Sequence, residues 1–538
     1  MHTCPLGQYR RFRRHAKFAA GPYFSILGRV FMNRIYRRSL ALIFPVLFAA
    51  QTLRAQEHTA RVEEAKSRAA SPAHIAPAPL LLFGTIPVST RSIEARKFAE
   101  LSMEKYENVL LHDAVVQAQH ATEKDPDFAL GYALLSLASR HGIPNSAALE
   151  RAKVLLPHAP ADEQLLVRWM IGVQDRNLLP AIASMNDLLK RYPKNKHVLY
   201  LISEWLYGQQ DFDRAQKMME SLLQSDPGFA PVLNMLGYSY IETAHPDPAR
   251  AVATLKRYIA AEPSSPNPED SLGEVLRYTG DNQGSLEHFS AALQIDPTFF
   301  TSQLGLGDTL TLMGKYDEAR LEYDRAALLS ENSRELLHAS FQKALVYFWE
   351  GHAEEGRSAL SNLAAEAAQK NEPNGQFEIA FGSAMLAADF ATELHQLRAL
   401  EEKFLNTVEG MTEADRGSAL ANVLCEEARV ASQHAVAEAA QQAISKLERL
   451  AAQSADLVVE NAYETARGYV LVAQGDLANA VDELSANRLS PLAVQQLAIA
   501  QQKLGNPSGV AESTNQLKYQ RAPTVEWYLA SQTGSITR

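Results

Sequence analysis

Between Tyr192 and Pro297 a proline returns at nearly constant intervals: Pro193, Pro227, Pro263 and Pro297 stand 34, 36 and 34 residues apart. A recurrence of that length marks one supersecondary unit copied along the chain, which dictates stacked units rather than a single closed core. Three of the prolines follow an acidic residue, in Asp226-Pro227, Glu262-Pro263 and Asp296-Pro297, while Tyr192-Pro193 departs from the rule. Each should close a helix, because proline lacks the N–H that a helix interior uses.

The content of a unit is also legible. In the copy that starts at Phe300, Leu306-Gly307 falls in a first helix, Gly314-Lys315-Tyr316 in a turn, and Ala319, Tyr323 and Ala326 on one face of a second helix. Gly307 and Ala319 are small so that the two antiparallel helices can approach closely. Neighbouring copies keep the register: Leu236-Gly237, Tyr240 and Ala251, then Leu272-Gly273, Gly280-Asp281, Phe289 and Ala292, with Asp211-Phe212 and Ala215 before them. Ala114, Ala121 and Asp125-Pro126 mark a unit beginning near Ala95, whereas Trp349-Glu350-Gly351 and Gly475-Asp476 with Ala480 are looser, and Gly356 stands where alanine is usual.

This pattern resembles the tetratricopeptide repeat family. The resemblance covers most of residues 91 to 513 and is strong over 95–126 and 178–329. Phrases such as Asp125-Pro126-Asp127-Phe128-Ala129-Leu130-Gly131-Tyr132 and Pro266 to Glu274 look like those of bacterial arrays of this family, which occur as exported proteins and as sensing or docking tails of regulators. The resemblance implies an all-α, right-handed solenoid of stacked antiparallel helix pairs, with the array over 93–370, divergent helical repeats over 371–513 and a capping segment over 514–538. Trp205 and Trp349 are expected to pack in the core or between repeats, and Trp527-Tyr528-Leu529 to form a short helix over the last repeat.

The N-terminus is built differently. Residues 1 to 55 hold ten Lys or Arg and no Asp or Glu, so the remainder, with 42 basic and 62 acidic residues, has a formal charge of −20 against −10 for the whole chain. Met32-Asn33-Arg34-Ile35-Tyr36-Arg37-Arg38, the 11-residue apolar run Leu40 to Ala50, and Leu53-Arg54-Ala55 read as a secretory signal peptide over 32–55. Residues 1–31 then form a basic extension, with Met1 or Met32 as the start. The expectation is cleavage after Ala55 and a periplasmic or secreted protein; an uncleaved segment would anchor it at the inner membrane and is the only route to membrane contact. Residues 56–92, with Ala-Pro-Ala-Pro, read as an extended linker. No cysteine follows the apolar run to take a lipid, and Cys425, the one cysteine beyond it, is expected to be a small apolar residue of a helix.

The residues argue against catalysis. No two of the 15 histidines are closer than His112 and His120, which removes local metal-binding pairs. Gly305-Leu306-Gly307 runs on to Leu310 where a dinucleotide loop needs glycine, and Tyr316 after Gly314-Lys315 replaces the hydroxyl of a phosphate loop. No enzyme activity, cofactor or metal is expected, and the acidic balance argues against nucleic acid.

If the repeats stack as in the family, their first helices line a groove. The register places Tyr200, Glu204 and Tyr207 there, then Asn234, Tyr238 and Glu242, then Asp270, Glu274, Arg277 and Tyr278, then Asp308. Tyrosines among carboxylates suit a basic or neutral extended segment of a protein or peptide. The expected function is a protein-binding scaffold in the bacterial envelope; the alternative is a ligand sensor acting through a separate effector.

Overall fold

The computed structural model describes residues 79–139, 143–175, 177–454 and 456–532. The signal peptide and basic extension lie outside these residues, and so does the linker as far as residue 78. No helix of the described residues is long and apolar enough to cross a membrane.

The stretch read as linker up to residue 92 contains structure from residue 80 on. Leu80–Leu82 (β1) and Ile86–Val88 (β2) pair antiparallel, with Leu81 opposite Pro87. Alternation explains the hairpin: Leu82, Ile86 and Val88 are buried while Leu81 faces out. Glu163 holds its far end, accepting hydrogen bonds from the Ser89 amide and, at 3.1 Å, the Ser89 hydroxyl.

Twenty-five α-helices follow among the described residues, and as far as Pro507–Leu517 each packs on the next. They run as consecutive pairs, from Ile93–Glu107 with Leu111–Lys124 to Pro491–Lys503 with Pro507–Leu517, before a final helix, Val525–Gln532. The chain is an all-α solenoid of helix pairs, and the pairing continues through 371–517, where the sequence signature is faint.

The prolines act as expected. Helices Phe212–Ser225, Pro248–Ala261 and Asn282–Ile295 end at Asp226, Glu262 and Asp296, whose amides still bond to Leu222, Tyr258 and Ala292. The proline that follows can donate no further helical bond. The small residues act by contact: a Cβ on Gly307 would lie 2.6 Å from the Tyr323 ring, and one on Gly237 would lie 2.6 Å from Leu255. Gly356, the misfit, shows the same seat reversed. Its missing Cβ would stand 2.4 Å from Phe348, so here the first helix supplies the ring and the second the glycine.

Trp205 packs between repeats as expected, edge-on to Trp169 at 5.6 Å. The final helix does more than cover the last pair. Gln495 Nε2 donates to Ala530 O at 2.7 Å, but Trp527 stacks on Trp349 at 5.7 Å and Tyr528 meets Phe348, both on Ser333–Glu350. Cys425 is half-buried against two apolar clusters, and burial pushes its thiol up.

Candidate interface on the first helices

The first helices carry the side chains that the register placed on one face, except Glu242, which stands in the turn after the helix Ala230–Ser239 ends, and the structure bonds most of them to one another. Tyr207 donates to Glu242, one repeat later. Tyr238 Oη donates to Glu274 at 2.7 Å, again one repeat on, and Tyr278 Oη donates to the same carboxylate at 2.6 Å. Arg277 bonds to Asp308 and, at 3.2 Å, to Glu274. Asp308 also accepts from Tyr323 Oη at 2.8 Å and from Gln342 Nε2 at 3.3 Å, which carries the chain of bonds to the helix Ser333–Glu350. Asp270 accepts from Ser302 Oγ at 2.6 Å.

These groups form a floor rather than a charged surface. Arg277, Asp308 and Asp270 are only 4%, 7% and 8% exposed. Burial pushes Asp270 up to about 7, against the Ser302 bond that favours its ionised form, and Glu242 is likewise pushed up to about 7. Burial also raises the phenols of Tyr207, Tyr238, Tyr278 and Tyr323 well above their ordinary range, so they stay protonated donors. Burial alone would lower Arg277, but Asp308 and Glu274 outweigh it and hold the guanidinium charged.

Tyr200 and Glu204 are also engaged within the chain. Tyr200 Oη donates to the Glu107 carbonyl at 3.1 Å, and Glu204 accepts from Tyr106 Oη at 2.8 Å. Both partners belong to the helix Ile93–Glu107, so this first helix closes over that of the fourth pair. His197 completes the contact, bonding Glu107 at 2.7 Å and stacking on Phe83 of the hairpin tip at 3.6 Å. Asn234 is half-buried, and its Oδ1 has no hydrogen-bond partner among the described residues.

Space remains at two places along this face. A cavity of about 910 Å³ has Glu242, Tyr278, Arg334, His338, Phe377 and Glu378 on one side and residues of the segment 519–526 on the other. Within it His338 Nδ1 bonds Glu378 at 2.7 Å; burial would lower the imidazole, but this carboxylate outweighs burial and raises it. A second cleft of about 1300 Å³ lies between Trp169, Glu204 and Trp205 and the segment 411–417.

The register placed these eleven residues on first helices, which holds for all but Glu242, and it did not reveal their mutual bonds. One signal was available: a tyrosine and a carboxylate recur 35 and 36 residues apart, one unit length, in the pairs Tyr207–Glu242 and Tyr238–Glu274. His338 and Glu378, 40 residues apart on successive first helices, follow the same rule and were missed where the repeat signature loosens.

A family profile described as tetratricopeptide repeat matches residues 200–266 and 271–334. No curated protein matches the sequence. Among solved structures, MamA is 19% identical, with 32% of this chain and 93% of that one covered and a TM-score of 0.27. A tetratricopeptide repeat protein from Parabacteroides merdae is 16% identical, covering 53% and 97%, with a TM-score of 0.32. YrrB, described as a TPR protein with an unusual peptide-binding site, is 14% identical, covering 34% and 93%, with a TM-score of 0.26. The profile falls on the four helix pairs whose prolines, glycine seats and tyrosine–carboxylate bonds repeat in register, and the segments 200–266 and 271–334 are tetratricopeptide repeats.

Proposed function

We propose that the chain is a non-catalytic scaffold that binds a protein or an extended peptide on its first-helix face and works in the bacterial envelope after export. The observation that supports this most is the 910 Å³ cavity on that face, where aromatic rings stand beside Glu242, Arg334, His338 and Glu378. Aromatic surface supplies apolar contact area and the charged groups supply orientation, the mixture found at recognition sites. With Asp270, Asp308, Arg277 and the Tyr207-bonded Glu242 committed to the floor, Glu378 is the carboxylate a partner would meet, and a basic or neutral segment suits it.

Affinity capture from an envelope extract tests the binding. A stoichiometric protein should be retained by the wild type, with retention falling about tenfold for Glu378→Lys and on raising the salt. Retention indifferent to Glu378→Lys would remove the site from this cavity, and no retained protein would sink the scaffold reading. Export rests on the basic, then apolar, N-terminal sequence, and a reporter fused after Gln56 that stays in the cytoplasm would refute it. The volume of the cavity falls within the range of small-molecule sites, about 300–1,000 Å³, and this favours a sensor as the second reading. A heat-stability shift with metabolites, but no protein partner, would select it.

A further inference from the structure

The first-helix face already holds an extended segment: the chain's own. After the helix Pro507–Leu517 the chain makes a turn and runs without regular structure over 520–524 before the helix Val525–Gln532. Tyr519 packs against the apolar core of the N-terminal pairs, more than two hundred residues away in sequence. The Arg521 guanidinium lies over Gly280, where a Cβ would stand 2.5 Å from Nη1. Gly280 is the left-handed cap that ends the helix Asn267–Thr279, with φ 87°. The seat has a physical basis: a helix C-terminus carries partial negative charge that favours a cation, and only a residue without a side chain lets the guanidinium come so close. Two residues on, Pro523 is buried, and Val525 reaches Gly382 on the helix Pro373–Met385.

The ends of this segment are held by hydrogen bonds and its middle by side-chain packing. Gln520 Nε2 donates to Arg488 O at 2.7 Å, and Glu526 accepts from Ser490 Oγ at 2.7 Å. Among the described residues no backbone hydrogen bond ties 521–523 to the helices beneath, and Arg521 Nε, though buried, has no hydrogen-bond partner. A segment seated by side chains alone can leave without breaking a backbone ladder, and it occupies one wall of the cavity assigned above to binding.

We propose that residues 519–523 are a resident occupant of the binding face, which a partner protein displaces with an extended segment of the same order: an aromatic residue, an arginine two positions on and a proline two beyond. This rests on the scaffold reading and specifies the peptide it takes. The partner's arginine would use the Gly280 seat, and its aromatic residue the apolar wall vacated by Tyr519.

The test uses the full chain and a fluorescent synthetic peptide of residues 516–526. Arg521→Glu removes the cation from its seat and should bind the peptide at least tenfold more tightly than the wild type, while Arg521→Lys stays near wild type. A peptide with glutamate in place of its arginine should bind Arg521→Glu at least tenfold more weakly. Gly280→Asn, which tolerates the left-handed backbone but fills the seat, should raise hydrogen exchange over 519–524 and bind no peptide. Equal affinity of wild type and Arg521→Glu, no binding to either, or unchanged exchange over 519–524 in both variants would overturn the proposal. A shift to dimer at the same concentrations would also overturn it, since a second copy's segment would then fill the face. If these tests fail while the wild type still retains a partner from extract, the displacement idea is rejected and the scaffold reading stands.

Discussion

Replacing Gly307 with alanine asks whether the repeat's glycine is there for contact or for flexibility. Gly307 lies inside the helix Phe300–Leu312, where alanine is normally preferred to glycine by about 1 kcal/mol. The structure opposes that gain. A Cβ would stand 2.6, 2.7 and 2.9 Å from Cε1, Cδ1 and Cζ of Tyr323. That ring is 1% exposed and its hydroxyl donates to Asp308 at 2.8 Å, so it cannot withdraw without losing a bond to a carboxylate. Overpacking typically costs about 1–3 kcal/mol, and a hydrogen bond to a charged group contributes about 1.5–3 kcal/mol. Net destabilisation of about 1–3 kcal/mol is expected. Gly417, within the helix Glu413–Gln433, supplies the control, because nothing lies within 4 Å of its would-be Cβ. Gly417→Ala should therefore stabilise by about 0.5–1 kcal/mol. In a solenoid such effects are local, so the readout is hydrogen exchange over 300–329 for one variant and 413–433 for the other. In a Tyr323→Leu background the cost of Gly307→Ala should shrink, since the ring that opposes it is gone. Equal or greater protection in Gly307→Ala, or the same sign for both alanine variants, would refute the contact argument.

Asp270, pushed up to about 7 by burial, holds a proton in the folded state that the unfolded chain releases near pH 4. The stability it contributes is complete below that lower value and is lost as pH rises through 7. Residues 267–312 should thus become easier to unfold between about pH 4 and 7, and Asp270→Asn should flatten that dependence in pH-resolved melting. Glu163, fully buried, joins Ser89 to the Leu130 amide at 3.1 Å, so Glu163→Ala should release the hairpin 80–88 and open the chain at Phe83, now stacked on His197, to limited proteolysis, while Glu163→Gln retains most of the protection. Trp527→Ala removes the stack on Trp349 and, at about 3–5 kcal/mol for a buried tryptophan, should unfold the helix Val525–Gln532 locally, read as fast exchange there with 200–329 unchanged.

What could be read from the sequence depended on whether a rule acts within one unit or between units. Proline stops and the Gly307–Tyr323 seat act within a unit, at fixed offsets, and a period of about 34 exposes them. The seat at Gly356 acts within a unit too, yet it was hidden, because the glycine and the ring Phe348 exchanged helices while the contact stayed the same. A pattern written as residue types at fixed positions loses such a unit, although the packing it encodes persists. The hairpin was missed for a different reason: three-residue strands are too short for alternation to stand out, and their partner Glu163 lies 74 residues from Ser89.

The candidate groove was affected most by contacts between units. Register puts Tyr238, Glu274, Arg277 and Asp308 on the right helices, but whether such a side chain meets solvent or its neighbour depends on how closely successive first helices approach. Here they approach closely enough for Tyr238 to reach Glu274 and for Arg277 to reach Asp308. Those charges are then spent between repeats, where removing one partner would strand the other in a buried site. An acidic face inferred by counting carboxylates is consequently less acidic to a partner than it looks. Glu378 beside the cavity, with the Gly280 seat that already holds an arginine, is what remains to select a cation. The proposed preference for a basic segment, first argued from the number of carboxylates, therefore comes to rest on a few positions that substitution can address one at a time.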